Sequence, residues 1–357
     1  MTALGDLLKR RIAREGPVSV AEYMALALGH PEHGYYMTRD PLGRAGDFVT
    51  APEISQMFGE LIGLWAAQVW LDMGRPAPFK WIELGPGRGT LAADAFRAMK
   101  GVPGLEAALE VHLLETSPVL RAHQERAVAG GAQWHDDLGR VPSGPGVMVA
   151  NEFFDALPIH QYVRDGAGWR ERMVTMGEGG GFAFTLSAPL AIDPLLPESF
   201  SAAADGAIAE ASPASVNLVR AVADRITASG GAALFVDYGY DASAPGDTLQ
   251  AVRGHAYADP LADPGEADLT AHVDFAALGR AARGAGAAVH GPIGQGDFLA
   301  RLGIELRAET LKRDADAAAR AAVDAALARL TGADAMGRLF RVLALSAPGG
   351  AVPAGFE

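Results

Sequence analysis

Three alternate glycines follow a short apolar run in the segment Glu83-Leu84-Gly85-Pro86-Gly87-Arg88-Gly89-Thr90. The apolar run at 81–84 indicates a strand, and the residues from Thr90 onward indicate a helix. Glycine has no Cβ, so a strand-to-helix turn of this kind lets the backbone approach a ligand closely. The helix N-terminus adds N–H donors that have no partner within the helix. The turn therefore predicts a ligand site, and a glycine-rich turn without a ligand is the alternative.

The spacing of the glycines distinguishes three classes of ligand. A dinucleotide fingerprint, G-x-G-x-x-G, needs glycine where Thr90 stands. A P-loop needs a Gly-Lys-Ser/Thr ending, which this turn lacks. S-adenosylmethionine (SAM) has no pyrophosphate and so needs fewer anion-binding groups and more acceptors. We expect Glu83 to accept hydrogen bonds from the methionine moiety of SAM. The other residues expected to surround this cofactor are Gly85, Pro86, Gly87, Gly89 and Thr90.

Acidic residues after the next two strands could complete the same site. Glu115 ends the strand predicted at 111–115, where a carboxylate can accept from both ribose hydroxyls. Dinucleotide-binding and SAM-binding proteins both use such an acid, so Glu115 does not distinguish these two classes of cofactor. The alternative is that Glu115 is a solvated residue at the end of a strand. Asp136, Asp137 and Leu138 follow a further predicted strand. A carboxylate there could accept from the adenine amino group, although paired aspartates are also common in loops.

The segment Asn151-Glu152-Phe153-Phe154-Asp155-Ala156-Leu157-Pro158 follows the apolar strand predicted at 147–150. Ligands of open parallel sheets bind beyond the carboxyl ends of the strands, so this loop should border the transferred group. The carboxylates of Glu152 and Asp155 suit a guanidinium acceptor, whose N–H donors they can bind bidentately. We assign both acids and Asn151 to catalysis, and Asn151 also to cofactor binding. The alternative is that Glu152 caps a helix and both phenylalanines belong to the core.

Short apolar runs alternate with helical stretches from Lys80 onward, which predicts a parallel sheet covered by helices on both faces. The expected strands are 81–84, 111–115, 147–150, 233–236 and 339–345, and the expected helices include 90–99 and 118–128. Thr50-Ala51-Pro52-Glu53 has the spacing of a capping box at the start of a further helix with one apolar face.

The pattern also predicts how the chain is divided. We expect a helical extension at residues 1–78 and a core made of residues 79–156 and 231–347. Between the two core segments, short strand patterns around glycine turns precede a helix. We expect this insertion, residues 157–230, to form a lid over the substrate.

Composition restricts the classes of function. Hydrophobic residues make up 49% of the 357 residues and charged residues 20%, which is typical of a folded soluble protein. The net charge of −13 argues against binding to nucleic acid or to anionic membranes. The sequence has no cysteine, which excludes disulfides, thiolate zinc sites and a cysteine nucleophile. It also lacks an apolar run of about 20 residues, so we expect no membrane insertion. We expect no metal.

Further motifs are distributed along the chain. They are Gly16-Pro17-Val18-Ser19, His33-Gly34-Tyr35-Tyr36, Gly46-Asp47-Phe48-Val49-Thr50-Ala51-Pro52-Glu53, Val236-Asp237-Tyr238-Gly239, Asp268-Leu269-Thr270-Ala271-His272-Val273-Asp274-Phe275 and Met336-Gly337. Together with the glycine turn and the loop at 151–158, they make the chain resemble one family from about residue 15 to 345. That family contains the mitochondrial complex I assembly arginine methyltransferase and its bacterial relatives.

This resemblance implies an α/β fold with a seven-stranded, Rossmann-like class I SAM methyltransferase sheet. It implies a protein arginine N-methyltransferase whose partner is a subunit of the respiratory NADH dehydrogenase, with a homodimer as one possible assembly. The expected location is the cytoplasm of a bacterium, or the mitochondrial matrix of a eukaryote. His33–Tyr36 and Asp47 would close over the cofactor or line a substrate channel, and Asp237 and His272 are either site residues or structural ones.

Three alternatives to this function stay open. One is a small-molecule methyltransferase of the same fold, and another is an assembly factor that binds SAM without catalysis. A nicotinamide-dependent oxidoreductase is the least favoured, because Thr90 stands where the dinucleotide fingerprint needs its third glycine.

Overall fold

The computed structural model describes residues 2–43, 46–128, 130–166, 168–191 and 196–357. The chain forms two compact units. The first unit comprises Met1–Phe48, Asp155–Asn217 and Ala242–Asp274, and the second comprises Val49–Phe154, Leu218–Asp241 and Phe275–Glu357. These boundaries differ from those expected. Residues 49–78 belong to the second unit because a long helix there packs its apolar face into the core around the sheet. The lid role of 157–230 stays a prediction.

Seven strands follow one another along the main path of an eight-stranded sheet, and all seven lie in the second unit. We number its strands in chain order: β1 Phe79–Leu84, β2 Leu109–Leu114, β3 Ala132–His135, β4 Gly146–Asn151, β5 Gly231–Tyr240, β6 Ala288–Gly294 and β7 Phe340–Ser346. The order across the sheet is β6-β7-β5-β4-β1-β2-β3. Strands β1 to β5 pair with one another in parallel, whereas β7 runs antiparallel to both β5 and β6. The expected α/β fold with a mostly parallel sheet is confirmed, and the main path of the sheet has the expected seven strands.

Burial explains why the central strands are mostly apolar, with Lys80 and Glu83 as buried exceptions in β1. All six residues of β1 are buried, as are the first five of β4. Parallel strands lie between layers of helices, so both of their faces avoid water. The helices of this unit are Ala51–Ile54, Gln56–Asp72, Thr90–Met99, Leu105–Ala108, Pro118–Ala127, Phe275–Gly284, Gln295–Arg301, Ile304–Lys312, Ala317–Thr331 and Met336–Leu339, with a 3-10 turn at Leu138–Arg140.

The first unit has its own core of helices and short strands. Its helices are Ala3–Glu15, Val20–Gly29 and Tyr35–Thr38, with a 3-10 turn at Glu198–Phe200. Its strands are Val18–Ser19, His160–Asp165, Gly168–Met176, Phe182–Pro189, Ile208–Ala211, Gln250–Arg253, Ala256–Ala258, Asp268–Thr270 and Val273–Asp274. The helix Pro213–Ser229 contains the boundary between the two units. The core of the first unit contains buried side chains that include Leu4, Leu8, Tyr23, Met24 and Val174.

The predicted capping box is wrong. Thr50 makes no side-chain hydrogen bond to the helix Ala51–Ile54, and that helix ends at Ser55. Ser55 instead caps the helix Gln56–Asp72, where its side chain accepts from the backbone N of Met57. The box fails because its acid has another partner: the Glu53 carboxylate accepts from the hydroxyl of Thr90.

A search for membrane-spanning segments gave a negative result. No helix in the described part of the chain is both long enough and apolar enough to cross a bilayer.

Candidate active site

The backbone of the predicted turn adopts the left-handed conformation at each of its three glycines. The φ angles are +63° at Gly85, +58° at Gly87 and +82° at Gly89, a region that other residues rarely adopt. Gly85 N donates to Leu114 O at 3.0 Å, and Gly89 N donates to Pro86 O at 2.8 Å. A Cβ on Gly85 would lie 2.5 Å from Cδ2 of Phe153. The turn therefore needs glycine at residue 85 for its conformation and for the space it leaves.

Glu83 lies at the carboxyl end of β1 with only 3% of its surface exposed. The indole Nε1 of Trp81 donates to its Oε2 at 3.1 Å. Burial raises the pKa of Glu83 to about 8, and the bond from Trp81 opposes that shift. A buried carboxylate of this kind is stabilised in its charged form when a cationic ligand binds beside it.

Asn151 ends β4, the neighbour of β1, where Leu84 pairs with Ala150. The strand order reverses between β1 and β4, and in such sheets ligands bind at this reversal. The side chain of Asn151 donates from Nδ2 to Glu152 Oε1 at 3.1 Å. Its Oδ1 is buried, and no donor to it is found among the described residues. A buried acceptor without a partner is rare in proteins, so this oxygen is suited to a donor on a ligand.

Glu115 follows β2 directly and is buried. Its Oε1 accepts from Ser117 N at 2.7 Å, and its Oε2 accepts from Gln124 Nε2 at 3.0 Å. Burial raises the pKa of Glu115, and these hydrogen bonds oppose the rise. A carboxylate offers about four acceptor positions, so it can also bind the hydroxyls of a ligand. The protein bonds fix the direction in which those acceptors point.

The predicted adenine-contacting residues lie after β3. Asp137 Oδ1 accepts from Gly139 N at 2.6 Å and caps the short turn Leu138–Arg140. Asp136 is exposed and lies 3.4 Å from the guanidinium of Arg140, whereas Leu138 is buried. The carboxylate of Asp137 thus has a local structural partner. Contact of these three residues with adenine stays a prediction.

Glu152 is held in an unusual backbone conformation, with φ of +50°. Its N donates to Val236 O at 2.9 Å, and its Oε1 accepts from Ala51 N at 2.7 Å. Ala51 is the first residue of the helix Ala51–Ile54, so Glu152 caps a helix. This contact was part of the alternative interpretation of the sequence, in which Glu152 has a structural role. A non-glycine residue at positive φ stores strain, which is often found at functional positions.

The two phenylalanines of the loop have different surroundings. Phe154 is 3% exposed and packs edge-on against Phe235 in the core, with ring centroids 5.0 Å apart. Phe153 is only partly buried and lies against Gly85. Asp237, fully buried on β5, binds both backbones: its Oδ2 accepts from Phe153 N at 3.1 Å and Phe154 N at 2.9 Å. Asp237 therefore shapes the loop.

Asp155 belongs to the first unit and is 7% exposed. Its Oδ1 accepts from Ala156 N at 2.9 Å. Burial raises the pKa of Asp268 to about 8, and the charge of Asp155 adds to the rise. The hydroxyl of Tyr36 donates to Asp268 Oδ1 at 2.8 Å. Asp155 is thus close to two residues of the other sequence motifs, in the same unit.

The remaining motif residues of the first unit also have structural partners. The hydroxyl of Tyr35 donates to Asp47 Oδ2 at 2.5 Å, and Asp47 Oδ1 accepts from Gly254 N at 2.6 Å. His272 N donates to Thr248 Oγ1 at 2.9 Å, and burial lowers the pKa of the His272 ring. Whether His33–Tyr36 and Asp47 also line a substrate channel stays a prediction.

Two groups in the site were missed by the sequence analysis. Gln124 is fully buried and donates to Gly87 O at 2.7 Å as well as to Glu115. Glu53 accepts from Thr90 at the start of the helix that follows the turn. Both contacts join residues 37 positions apart. No local pattern reveals such pairs.

These residues fit an adenosyl cofactor with a methionine tail. Glu83 and the Oδ1 of Asn151, which has no partner among the described residues, could accept from an ammonium group, and Glu115 could accept from ribose hydroxyls. The left-handed glycines allow the backbone to approach the ligand. The fold and these residues thus describe a Rossmann-like protein with groups suited to an adenosyl ligand at the carboxyl edge of its sheet.

Comparison with known proteins identifies the family. A family model described as "Putative S-adenosyl-L-methionine-dependent methyltransferase" matches residues 61–293. The chain belongs to this family of SAM-dependent methyltransferases, and SAM is its cofactor.

Individual relatives agree with this assignment. The chain is 38% identical, over 94% of its length and 84% of the other protein, to the mitochondrial protein arginine methyltransferase NDUFAF7 of Danio rerio. It is 38% identical to the protein of the same name in Homo sapiens, over 85% and 74% of the two chains. A crystal structure from Burkholderia thailandensis, with S-adenosyl-homocysteine bound, superimposes with a TM-score of 0.84 at 30% identity, covering 99% of this chain and 92% of that one.

Proposed function

We propose that this methyltransferase modifies arginine side chains of a protein, and that the acceptor is a subunit of a respiratory NADH dehydrogenase. The observation that carries the proposal is 38% identity, over 94% of the chain, to a protein named as an arginine methyltransferase. The choice of subunit rests on the resemblance between the motifs. The chain would act where that respiratory enzyme is assembled, in a bacterial cytoplasm or a mitochondrial matrix.

The chemistry of the loop after β4 supports a guanidinium acceptor. SAM brings a methyl group that is already activated on a sulfonium, so alignment of the acceptor is the main task left to the protein. The Glu152 carboxylate is oriented by two donors on Oε1, Ala51 N and Asn151 Nδ2. It would accept N–H groups of the guanidinium and take up the proton that the methylated nitrogen loses. Asp155 would supply a second carboxylate, and residues 157–230 a lid over the acceptor.

Transfer of labelled methyl groups tests the proposal. The purified protein is incubated with methyl-labelled SAM and a lysate from a strain that lacks the gene. We expect label in one large subunit of the respiratory enzyme and dimethylarginine in its digest. The Glu152→Gln variant should bind S-adenosylhomocysteine normally and transfer at least tenfold less label.

The alternative functions give different results. Label that appears only in small molecules would contradict a protein acceptor and favour a small-molecule methyltransferase. Normal assembly of the respiratory enzyme in a strain that carries both Glu152→Gln and Asp155→Asn, without any labelled product, would favour a non-catalytic assembly factor. Light scattering of the purified chain would show whether it forms the proposed homodimer.

A further inference from the structure

The side-chain amide of Gln124 makes three hydrogen bonds within the second unit, two from its Nε2 and one to its Oε1. Gln124 lies on the helix Pro118–Ala127 and is fully buried. Its Nε2 donates to Gly87 O at 2.7 Å and to Glu115 Oε2 at 3.0 Å. Its Oε1 accepts from the indole Nε1 of Trp134 at 2.8 Å. One amide thus contacts the glycine turn, the acid after β2 and a side chain of β3.

The chemistry of the three partners fixes the orientation of this amide. The indole N–H only donates, so it requires the amide oxygen. The carbonyl of Gly87 and the carboxylate of Glu115 only accept, so they require the two N–H groups. Rotating the amide by 180° would place its oxygen against both acceptors. The contact therefore has a single favourable arrangement.

The backbone of the same helix also packs against the turn. A Cβ on Gly89 would lie 3.3 Å from Cα of Gln124 and 3.2 Å from Cβ of Ala127. Gln124 consequently reaches Gly87 from a helix that already contacts the turn two residues further on. Gln124 thus links Gly87 to the Glu115 side chain, in addition to the backbone bond from Gly85 N to Leu114 O.

We propose that Gln124 is a positioning residue, which holds the glycine turn and Glu115 at the separation that the adenosyl moiety requires. The proposal rests on the proposed role of Glu115 as the acceptor for the ribose hydroxyls. The bond from Nε2 leaves Glu115 oriented before any ligand binds, so less orientational freedom is lost on binding. Without this bond the carboxylate would keep the bond from Ser117 N to Oε1, but Oε2 would lose the donor that fixes its direction.

A double-mutant cycle, read by calorimetry with S-adenosylhomocysteine, tests the proposal. The variants are Gln124→Met, Glu115→Gln and the double variant. Methionine keeps the length of the side chain and removes its hydrogen bonds. We expect each single change to weaken binding by about tenfold or more, as for hydrogen bonds to charged groups. We expect Gln124→Met to have an effect of about threefold or less when Glu115→Gln is already present.

A matched control separates positioning from folding. Gln295 is also fully buried in the second unit, and its Nε2 donates to Leu330 O at 2.8 Å. Gln295→Met likewise replaces a buried amide by methionine and should leave the affinity for S-adenosylhomocysteine unchanged; the unfolding temperatures of both variants are measured alongside. If Gln124→Met fails to fold, Trp134→Phe removes the donor to Gln124 Oε1, together with part of the indole ring, and leaves the Gln124 side chain in place. It should weaken binding in the same direction by a smaller factor.

The possible failures are distinguishable. If Glu115→Gln leaves the affinity unchanged, the assignment of Glu115 to the ribose is wrong. If Glu115→Gln weakens binding and Gln124→Met (or Trp134→Phe, where the former does not fold) does not, the positioning role of Gln124 is overturned. An equal effect of the Gln124 change in both backgrounds would also overturn it, because Gln124 would then act independently of Glu115.

Discussion

The buried carboxylate of Glu83 leads to a prediction about how ligand affinity depends on pH. Its pKa is raised to about 8 by burial in the ligand-free protein. If the ligand's ammonium group binds beside Glu83, as we propose, it favours the charged carboxylate; binding then lowers this pKa and releases a proton wherever Glu83 begins protonated. Affinity for S-adenosylhomocysteine should therefore rise by up to about tenfold per pH unit from pH 6 and level off near pH 8.

The substitution Glu83→Gln isolates this contribution. Glutamine cannot titrate, so we expect its affinity to be nearly independent of pH over the same range and weaker than that of the unchanged protein at pH 8. Calorimetry at several pH values, in buffers of different ionisation enthalpy, measures both the affinity and the protons released. Equal pH dependence in the two proteins would show that the titrating group lies elsewhere.

Gly85 allows conformational strain to be separated from steric contact. Gly85→Ala introduces a Cβ 2.5 Å from Phe153 at a φ of +63°, whereas Gly74→Ala introduces one at a φ of +79° with no atom within 4 Å. Each should lose about 1 kcal/mol of stability from strain alone. Gly85→Ala should lose more, and it alone should weaken binding of S-adenosylhomocysteine. Chemical denaturation and calorimetry measure the two effects; equal losses would mean that Phe153 moves aside freely.

At the scale of elements, the loop after β4 depends on a residue of β5. Asp237 accepts three backbone N–H groups, from Phe153, Phe154 and Tyr238. Asn in its place retains one acceptor oxygen and leaves at least one of these three donors, which are buried or partly buried, without its acceptor. We expect Asp237→Asn to reduce the free energy of unfolding by about 2 kcal/mol, measured by denaturation in urea. Asp72→Asn, on a more accessible helix end, should cost well below 1 kcal/mol, and similar losses would contradict the anchoring role.

The elements of the sheet were predictable to differing degrees. Thr90–Met99 has the predicted bounds, and β1, β4 and β5 extend the predicted apolar runs by a few residues. Strand β6 was not predicted, because Gly291 and Pro292 interrupt its sequence. The structure accommodates them with a shift of register between His290 and Ile293 on this outermost strand. Proline is tolerated at such edge or bulged positions and is a poor guide to a strand there.

The residues of the candidate site were also predictable to differing degrees, because some lie in local sequence patterns and others are brought together by tertiary packing. The glycine turn was predictable because its spacing is local, and Glu115 because it ends an adjacent strand. Gln124 was not, since its partners Gly87 and Trp134 are brought together only by tertiary packing. The capping-box interpretation of Glu53 failed for the same reason. Its actual partner, Thr90, is 37 residues away.

At the scale of the molecule, cofactor binding should stabilise one region in particular. Glu83, the glycine turn, Glu115 and Asn151 all belong to the second unit. At a free ligand concentration of about 100 times the Kd, binding adds about 2.7 kcal/mol to the stability of the binding-competent state. We expect hydrogen exchange to slow at residues 83–90 and 115–124 when S-adenosylhomocysteine is added. If the ligand slowed hydrogen exchange in neither segment, the proposed position of the cofactor site would be contradicted.

The division into two units also organises the proposed activity. The residues assigned to SAM lie in the second unit, whereas Asp155 and the segment 157–217 of the insertion belong to the first. Variants in the first unit should therefore reduce methyl transfer with little change in affinity for S-adenosylhomocysteine.

A structure of this protein with S-adenosylhomocysteine bound tests the central claim most directly. The distances from the Glu115 carboxylate to the ribose hydroxyls, and from Glu83 and Asn151 Oδ1 to the ligand's amino group, decide it. We predict hydrogen-bond distances of about 2.6–3.2 Å at the ribose and at one or both acceptors for the amino group. A ligand bound away from Gly85–Gly89, or a Glu115 carboxylate turned away from the ribose, would contradict the account.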